Sequence, residues 1–476
     1  MDLALLVDFG STYTKVVAVD LRGSEVIGRS QSASTVDTDV REGLISALAK
    51  LHDDHRIFSA KPRGLNELGG SVVLASSSAA GGLKMVVVGL VPGLTVEAAN
   101  AAALGAGAKL VGSWAFKLSD NSAAEIQARS PDMVLLTGGT DDGDSATILH
   151  NARVLAALRL NAPVVVAGNA AAQAEVCGVL SAAGKEVRRA DNVMPRPGKL
   201  AVESAREEIR KLFMERITRA KGLENLNGLV PVILPTPMAV LQGALLGSQG
   251  TAAEKGAGDL LVVDVGGATT DVHSIGSGQL TGPQIVEQGL PEPFAKRTVE
   301  GDLGIRFNAG TLLDRVGADR FEQEFRSGFG RIAASRAQII DYVMSVGRET
   351  ARVPEGDWQS AVDAQLARLA VDFAIERHVG KRERIVSREG EAWVYYGKDL
   401  SETRTLIGTG GVFIYNPYAD YILSSGPGGD HRYDVLRPKN PDLFVDSSYL
   451  LYAVGLLSEK YPDVAVRVFQ KNMRRL

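Results

Sequence analysis

Apolar and polar positions change abruptly at the start of the chain. Residues 3–7 read LALLV, Asp8 follows, and residues 10–15 read GSTYTK. Residues 16–20 (VVAVD) resume the apolar pattern, which predicts two strands joined by a short turn. A tight turn explains the glycine, but it does not explain why a carboxylate, several hydroxyl groups and a lysine stand together.

Beyond this hairpin, short apolar runs alternate with segments of helical periodicity. A third strand is predicted at 25–30, and the runs at 72–75 and 85–90 are predicted to form a strand pair. Further strands are predicted at 133–136 and 163–167, and helices at 42–52, from residue 94, at 145–158, at 170–183 and at 199–220. This order is typical of a mixed α/β sheet covered by helices, with a β/α insertion around residues 95–190.

The opening pattern returns in the second half of the chain. A small, polar, glycine-rich stretch at 247–258 predicts a domain boundary. It is followed by DLLVVDVGGATTDVHSIG, in which Asp264 stands where Asp8 stood in the first hairpin. The separation of the two aspartates is far too long for a solenoid repeat, so we expect two similar lobes, residues 1–250 and 251–476.

The charge balance and the cysteine count exclude several classes of protein. Lys plus Arg number 52 and Asp plus Glu 56, a net charge of −4, whereas nucleic-acid binders carry a net basic face. The single cysteine, Cys177, cannot form an internal disulfide, a zinc cage or an iron–sulfur site. No signal peptide is expected, and no apolar stretch approaches the roughly 20 residues of a membrane span. We therefore expect a cytoplasmic protein that binds neither nucleic acid nor membrane.

The two aspartate–glycine–hydroxyl turns contain the groups that bind a nucleoside triphosphate with magnesium. Glycines let backbone N–H groups approach phosphate closely, hydroxyls add donors, and carboxylates hold Mg²⁺ directly or through water. One turn in each lobe would hold the phosphates from both sides of a cleft, with Asp8 and Asp264 facing the metal. The residues predicted to hold the phosphates are Gly10, Ser11, Thr12, Lys15, Gly266, Gly267, Thr269 and Thr270.

A third glycine-rich turn suits the nucleoside. Residues 405–413 read TLIGTGGVF, so an apolar strand leads into Gly408, Gly410 and Gly411. Backbone without side chains can lie flat against a ribose or a purine. The competing phosphate motif GxxxxGK[ST] is absent from the sequence, so the paired turns carry the nucleotide prediction.

In combination, these motifs resemble those of the actin, sugar-kinase and seventy-kilodalton heat-shock ATPase superfamily. DFGSTYTK and DVGGATTDV resemble its two phosphate motifs, GTGGVF its adenosine motif, and residues 235–247 and 446–457 its two connecting helices. The resemblance implies an α/β, two-lobed actin-like ATPase with ribonuclease H-like lobes and an interlobe nucleotide cleft. It also implies that a C-terminal helix, 446–458, returns to the interlobe hinge.

Small residues in the two predicted connecting helices indicate how they pack. Ala239, Gly243 and Gly247 recur at every fourth position, which forms a ridge that allows another helix to approach closely. Ala453 and Gly455 are predicted to face this ridge.

Within the superfamily, the chain resembles the accessory ATPase encoded with cobalamin-dependent glutamate mutase, the GlmL/MutL family. The resemblance runs along almost the whole chain and rests on RTVEGDLGIRFNAGTLL (297–313), LPTPMAVLQGALL (234–246) and LARLAVDFAIERHVG (366–380). It implies ATP or ADP with Mg²⁺ as ligands and the subunits of an adenosylcobalamin-dependent mutase as partners. Glu300 and Asp302 are candidates for ribose contact, with a solvated loop as the alternative.

The sequence departs from the heat-shock relatives at one informative position. Those relatives have a glutamate just before the Pro-Thr pair of the first connecting helix, whereas Leu234 precedes Pro235 here. Leucine can neither accept a proton nor bind a cation. We therefore expect weak basal ATP hydrolysis, with Asp271 or Asp8 positioning the water.

Two functions remain open from the sequence. One is a nucleotide-dependent chaperone or reactivating factor acting on an adenosylcobalamin-dependent mutase, as the resemblance implies, and the other is a small-molecule kinase of the same superfamily. The acids at Asp141, Asp142 and Asp144 do not single out a kinase base; a solvated loop with a helix cap at Asp144 or Ser145 is favoured. An activator of 2-hydroxyacyl-CoA dehydratases is excluded, because such proteins hold an iron–sulfur cluster with two cysteines per subunit. The assembly state, a homo-oligomer included, is left open.

Overall fold

A computed structural model describes residues 2–10, 13–35, 38–68, 70–78, 84–219, 232–278, 285–387, 390–428 and 434–476. The chain divides into two units. The first unit comprises Met1–Gly243, Gly289–Pro291 and Tyr452–Val468, and the second comprises Ala244–Gln288, Glu292–Leu451 and Phe469–Leu476. Each unit is described below by itself.

The first unit begins with the predicted hairpin. Its first elements are β1 (Leu3–Phe9), β2 (Tyr13–Asp20), β3 (Glu25–Ala33), α1 (Val40–His55) and β4 (Val72–Ser77). β1 and β2 are antiparallel, as are β2 and β3, whereas β4 is parallel to β1. α1 begins after Asp39, whose side chain accepts a hydrogen bond from the Arg41 amide, the usual role of a capping aspartate. Leu44, Leu48 and Leu51 of α1 are buried in one core with the strands.

The next stretch of the chain forms a separate parallel sheet. Its elements are β5 (Lys84–Val88), α2 (Glu97–Gly105), β6 (Lys109–Trp114), α3 (Asp120–Arg129), β7 (Met133–Leu136), α4 (Ala146–Ala157), β8 (Val164–Val166), α5 (Gln173–Ala182), β9 (Val187–Arg189) and α6 (Glu203–Arg219). The strand order is β6-β5-β7-β8-β9, and every neighbouring pair is parallel. We call residues 84–219 the inserted domain.

The predicted pairing of the runs at 72–75 and 85–90 is wrong. Both runs form strands, but β4 belongs to the sheet of β1 and β5 to the inserted domain. A short apolar run shows that a strand is buried, and it does not show which partner the strand takes. The choice depends on contacts made by residues far away in sequence.

The inserted domain is covered by helices on both faces. Met85 and Val87 of β5 share a core with α2 and α6, whereas Val86 and Val88 share a core with α3, α4 and α5. The continuous apolar run of β5 therefore fits a strand that is buried on both sides. Cys177 lies in the second of these cores and is free and buried, so it packs there as a small apolar side chain.

After the inserted domain the chain returns to the first sheet. β10 (Val232–Pro235) pairs in parallel with β4, and α7 (Thr236–Gln249) follows immediately. The completed order of the first sheet is β10-β4-β1-β2-β3.

The second unit is built around a six-stranded sheet and several helices. Its strands and helices up to the main core helix are β11 (Leu260–Val265), β12 (Thr270–Ile275), β13 (Ile285–Gln288), β14 (Ala295–Glu300), α8 (Ala309–Val316), α9 (Ala318–Phe329), α10 (Arg336–Arg348) and α11 (Asp357–His378). The remaining elements of the chain are β15 (Lys381–Ser387), β16 (Gly390–Tyr396), β17 (Thr405–Thr409), α12 (Gly411–Tyr415), α13 (Ala419–Leu423), β18 (Asp442–Asp446), α14 (Leu451–Leu457), α15 (Pro462–Asn472) and β19 (Met473–Arg475).

The two main sheets have the same internal order. The first is β3-β2-β1-β4-β10, and the second, read in the same direction, is β14-β12-β11-β17-β18 with β19 added at the edge. In the first sheet, β1 is antiparallel to β2 and parallel to β4. In the second sheet, β11 is likewise antiparallel to β12 and parallel to β17. A smaller sheet, β13-β16-β15, completes the second unit. This repeated arrangement confirms the predicted α/β fold class. Among the described residues, no helix has both the length and the apolar character needed to cross a membrane.

Within the first unit, α7 and α14 touch through small residues. A Cβ built on Gly455 would lie 1.9 Å from the carbonyl oxygen of Ala239, which is far inside van der Waals contact. The ridge of small residues predicted on α7 therefore contacts α14, with Ala239 against Gly455. Only a residue without a side chain fits at position 455.

Gly455→Ala should destabilise the first unit, because the added methyl group forces the two helices apart. We expect a loss of about 2 kcal/mol or more in unfolding free energy, in the range of overpacked cores, measured by urea unfolding. Gly178→Ala is the matched control, since Gly178 is exposed inside α5 and a Cβ there meets nothing within 4 Å. This control should be stabilised by roughly 0.5–1 kcal/mol. Equal effects of the two variants on unfolding free energy would contradict the close contact between α7 and α14.

Two histidines are fully enclosed in the second unit. His378 lies between two hydroxyl groups, with Nε2 2.8 Å from Ser274 Oγ and Nδ1 2.9 Å from Thr298 Oγ1. Burial lowers the pKa of His378 well below its usual value. Burial, reinforced by Arg297, lowers the pKa of His273 to about 3. Both imidazoles are therefore neutral in the folded chain at neutral pH.

The stability of the second unit should consequently fall as the pH decreases below about 6.5, the ordinary histidine pKa. Below that value the unfolded chain binds protons on these imidazoles and the folded chain does not, so each contributes a loss of about 1.4 kcal/mol per pH unit. Urea midpoints at pH 7.5, 6.5 and 5.5 measure this slope. The exposed His55 gives the control variant His55→Gln, which should keep the slope; a flat profile over this range would contradict the enclosure of both histidines.

Candidate functional site

The two aspartate–glycine turns share one backbone geometry. The Gly10 amide donates to the Tyr13 carbonyl at 3.0 Å, and the Gly266 amide donates to the Thr269 carbonyl at 2.9 Å. A Cβ on Gly10 would lie 2.7 Å from the first carbonyl oxygen, and a Cβ on Gly266 would lie 2.8 Å from the second. Glycine is therefore required for the same steric reason in both turns. The predicted phosphate contacts Ser11 and Thr12 lie outside the described residues.

Asp8 ends the first strand in a buried polar setting. It is 2% exposed, and its Oδ1 accepts hydrogen bonds from Thr236 Oγ1 at 2.6 Å and from Ser76 Oγ at 3.3 Å. Lys15 Nζ lies 3.5 Å from Oδ2. The strand registers set Lys15 and Ser76 beside Asp8, and Leu234 beside Ser76. These four side chains form one row across the sheet, which we call the first row.

The second unit has a corresponding row. Asp264 pairs in register with Asp271 on β12 and with Thr409 on β17. Because Gly408 is paired with Val445, the next residue along, Asp446, stands beside Thr409. We call Asp271, Asp264, Thr409 and Asp446 the second row.

The end members of the second row are firmly held. Asp271 Oδ1 accepts from Arg297 at 3.0 and 2.7 Å. Asp446 has no exposed surface and accepts from Thr409 Oγ1 at 3.1 Å and from the amides of Leu450 and Leu451. Burial raises the pKa of Asp446, although these hydrogen bonds oppose the shift.

The two rows occupy equivalent positions but differ in charge. The first carries lysine, aspartate, serine and leucine, whereas the second carries aspartate, aspartate, threonine and aspartate. Leu234 occupies the position in the first row that Asp446 occupies in the second. The leucine that replaces the glutamate of the heat-shock relatives therefore stands at the end of the first row. The first row is thus suited to contact an anion through Lys15, and the second to contact a cation.

The structure brings the predicted nucleoside turn beside the second phosphate turn. Gly410 has φ +106°, and a Cβ there would lie 2.4 Å from the Val265 carbonyl oxygen and 3.0 Å from Asp264 Oδ1. Any other residue would be both strained and in collision. A Cβ on Gly411 would meet nothing within 4 Å, whereas one on Gly408 would meet the Phe413 ring. Gly410 and Gly411 therefore border the turn, and Gly408 has a packing role.

The segment after β14 is docked on the second turn. The Ile305 amide donates to the Gly266 carbonyl at 3.1 Å, and the amides of Arg306 and Phe307 both donate to the Gly267 carbonyl at 2.9 Å. Thr270 Oγ1 in turn donates to the Leu303 carbonyl at 2.7 Å. Residues 297–313 thus hold the glycine turn in place, and the Thr270 hydroxyl in turn binds this segment.

An ion pair between the partly buried Arg306 and the buried Asp363 anchors this segment to α11. Arg306 donates to both carboxylate oxygens of Asp363, at 3.2 and 2.6 Å, and the Tyr342 hydroxyl also donates to Asp363 at 3.3 Å. Burial raises the pKa of Asp363, and Arg306 opposes that shift. Sequence reasoning missed this pair, because its members are far apart in the chain and no spacing rule connects them.

Glu300 and Asp302 take part in ion pairs. Arg377 on α11 donates to Glu300 and, at 2.7 and 2.9 Å, to Asp302. Arg315 also donates to Asp302, at 2.7 Å. Their ribose contact stays a prediction, and the pairs give both carboxylates a structural role at the base of the docked segment.

The second turn has unused donors of the kind that a phosphate needs. No described residue accepts a hydrogen bond from the amides of Gly267 or Ala268, and backbone amides of this type bind anions in turns. Within the described ranges no group of three or more His, Cys, Asp or Glu side chains forms a metal cage. Mg²⁺ bound with nucleotide needs only one or two carboxylates besides water and phosphate, so the residues present fit a magnesium nucleotide.

Comparison with known proteins identifies close similarity to one family. A family model described as MutL protein matches residues 4–473. The curated Protein MutL of Clostridium tetanomorphum is 40% identical over 472 residues, which cover 99% of each chain.

Matches among solved structures are much more distant. The ethanolamine utilization protein EutJ of Carboxydothermus hydrogenoformans is 12% identical, with 97% of this chain and 88% of that chain covered and a TM-score of 0.27. A glycerol dehydratase reactivase is 11% identical, with 96% and 99% covered and a TM-score of 0.33. These structures differ too much from this chain to assign it a ligand.

Removing the charge of Asp363 should loosen the docked segment. Asp363→Asn leaves the partly buried Arg306, 15% exposed, without its counter-charge, so we expect a loss of about 2–3 kcal/mol in the stability of the second unit. Hydrogen exchange should show faster exchange of the Ile305, Arg306 and Phe307 amides. Arg320→Gln is the control, because Arg320 forms only an exposed pair with Glu324 and should change stability by about 0.5 kcal/mol or less. Unchanged protection of the three amides would show that the pair does not anchor the segment.

Proposed function

Because this chain belongs to the MutL protein family, we propose that it binds ATP or ADP with Mg²⁺ and acts as a nucleotide-dependent reactivating factor for an adenosylcobalamin-dependent mutase. The observation that carries the nucleotide half of this proposal is the duplicated aspartate–glycine turn with its two unlike rows. The mutase half rests on the family alone.

In this proposal both turns contact the phosphates of the nucleotide. The second turn, which contains Gly266, Gly267 and Thr269, faces the phosphates, and the amides of Gly267 and Ala268 donate to phosphate oxygens. Thr270 supports this turn from behind, because its buried hydroxyl donates to the Leu303 carbonyl. Asp264 contacts the magnesium ion or its water. Gly10, Ser11, Thr12 and Lys15 contact phosphate from the first turn, with Lys15 turning from Asp8 to the anion.

Asp8 suits an indirect contact with magnesium. Its carboxylate is buried, and Thr236 and Ser76 already use Oδ1. Mg²⁺ keeps several of its waters in nucleotide sites, so a water-mediated contact through Oδ2 requires no rearrangement of the two hydroxyl groups. The nucleoside lies against Gly410 and Gly411, where no side chain intervenes.

Hydrolysis should be slow on this arrangement. Leu234 provides no base, and Oδ1 of Asp271 already accepts two hydrogen bonds from Arg297. A slow ATPase suits a factor whose nucleotide state selects between conformations, since ligand contacts shift such an equilibrium only through unequal affinity for the two states.

A small-molecule kinase is the competing function. Its candidate acids lie in the loop after β7, where Asp144 Oδ1 accepts from the Thr147 amide at 2.9 Å and so caps α4, as predicted. Asp141 accepts from Asn192 at 2.9 Å. Neither contact favours a kinase base.

Isothermal titration with ATP and ADP in the presence of Mg²⁺ tests the nucleotide half. The wild-type chain should bind both, and Asp264→Asn should weaken binding by about tenfold or more, which corresponds to ~1.4 kcal/mol. Asp341→Asn is the control, because Asp341 is an exposed carboxylate of the same unit on α10 and should bind as wild type. Absence of heat with either nucleotide would falsify the nucleotide half.

The mutase half needs a separate measurement on the same proteins. ATP turnover should rise when the subunits of an adenosylcobalamin-dependent mutase carrying damaged cofactor are added, and the mutase should regain activity. Appearance of a phosphorylated product from a panel of sugars and carboxylic acids, without any effect of the mutase, would instead establish the kinase.

A further inference from the structure

Successive carbonyl groups of the second turn all point at the docked segment. Those of Gly266 and Gly267 accept from backbone amides of the segment, as described above. The next carbonyl, that of Ala268, accepts from the side chain of Asn308, whose Nδ2 lies 2.8 Å away. The segment therefore holds the turn by its carbonyl side.

The planarity of the peptide bond fixes the direction of the amides in the same turn. Each carbonyl shares a peptide unit with the amide of the next residue, and in a trans peptide these two bonds point in opposite directions. The described residues contain no cis peptide bond. The amides of Gly267, Ala268 and Thr269 consequently point away from the docked segment.

These amides form an array of donors on one side of the turn. Within the part of the chain that the structure describes, none of them donates to another backbone group. Successive backbone amides of a turn bind anions in this way. The orientation of the peptide units thus adds the Thr269 amide as a third donor to those of Gly267 and Ala268.

Asn308 stands at the N-terminal cap of α8 without capping it. Asparagine is preferred at that position because its side chain accepts from amides of the first helical turn, but the Asn308 side chain makes no such bond. Its Nδ2 donates instead to the Ala268 carbonyl and, at 2.9 Å, to the Gly301 carbonyl. Departures from a local rule are concentrated at functional or strained sites, so this side chain is diverted to the turn.

The docked segment lies too close to the turn to move nearer. A Cβ on Gly304 would lie 2.3 Å from the Ala268 carbonyl carbon and 2.5 Å from the Gly267 carbonyl oxygen. The other bonds to the turn come from backbone amides, which any residue except proline supplies. Among the described bonds to these carbonyls, the bond to Ala268 alone depends on a side chain, that of Asn308.

We propose that Asn308 is a positioning residue of the nucleotide site, which holds the Ala268 carbonyl and so turns the Thr269 amide toward the phosphates. The class of ligand, an anion with several oxygens, follows from the array of amides. Its identification as the phosphates of a nucleotide rests on the proposed function. Asn308 itself lies on the opposite side of the turn and touches no phosphate.

Isothermal titration with ATP and Mg²⁺ gives the first test. Asn308→Ala should weaken ATP binding by about fivefold or more, an effect of ~1 kcal/mol. Asn416→Ala is the matched control, because Asn416 belongs to the same unit and its Nδ2 donates to the Ser360 carbonyl at 2.7 Å. Both variants should lose about 1 kcal/mol of stability in urea, but Asn416→Ala should bind ATP as wild type.

The Thr269 amide itself gives a readout that a general loss of stability would not move. In the chain labelled with ¹⁵N-threonine, the Thr269 signal is the one that Thr269→Ser removes. It should shift on addition of ATP or of inorganic tripolyphosphate to the wild-type chain, because the amide gains an acceptor. The shift should be clearly smaller in Asn308→Ala and unchanged in Asn416→Ala.

The outcomes separate this proposal from nucleotide binding. Equal ATP affinity, or an equal Thr269 shift, in Asn308→Ala and wild type would overturn the positioning role and leave nucleotide binding intact. No Thr269 shift with either anion would overturn the positioning role whatever the heat of ATP binding. A tripolyphosphate shift that Asn308→Ala reduces, without any heat from ATP, would uphold the positioning role and overturn the nucleotide half of the proposed function.

Discussion

A carboxylate at the end of a buried strand is the constraint on which both units depend. A buried charge without partners is very costly, so donors have to surround it. Around Asp8 they come from β2, β4 and the start of α7, namely Lys15, Ser76 and Thr236. Asp446 likewise needs Thr409 and the first amides before α14. The repeated strand order supplies these neighbours, because only adjacent strands bring such residues into reach.

The two main sheets share one strand order but carry different residues in their rows, so the two units present different polar groups. A serine and a leucine follow Asp8 across the first sheet, whereas a threonine and an aspartate follow Asp264 across the second. The Arg306–Asp363 pair and the docked segment then stabilise only the second turn. The hydrogen bonds from the docked segment thus hold the second turn in shape before any ligand arrives.

Local chemistry was readable from the sequence, and long-range contacts were not. The hairpins, the glycine turns and the close approach at Gly455 follow from residue type and spacing, because each depends on neighbours a few positions away or on one helix face. The pairing of β5, the row position of Leu234 and the partner of Arg306 depend on strand register and on residues far along the chain. The wrong pairing of 72–75 with 85–90 has the same origin: two apolar runs joined by a glycine-rich stretch satisfy the local rule for a hairpin.

The inserted domain lies in the chain between two segments that contact Asp8. The domain begins after β4 and ends before β10. Ser76 of β4 and Thr236, the first residue of α7 directly after β10, donate to Asp8. A ligand that displaced the inserted domain would therefore act on the two segments that carry these hydroxyl groups. Coupling between two sites requires an element whose arrangement both ligands bias. β4 and the segment from β10 to the start of α7 are the candidates for that element, because they flank the inserted domain in the chain and carry the two hydroxyl groups that donate to Asp8.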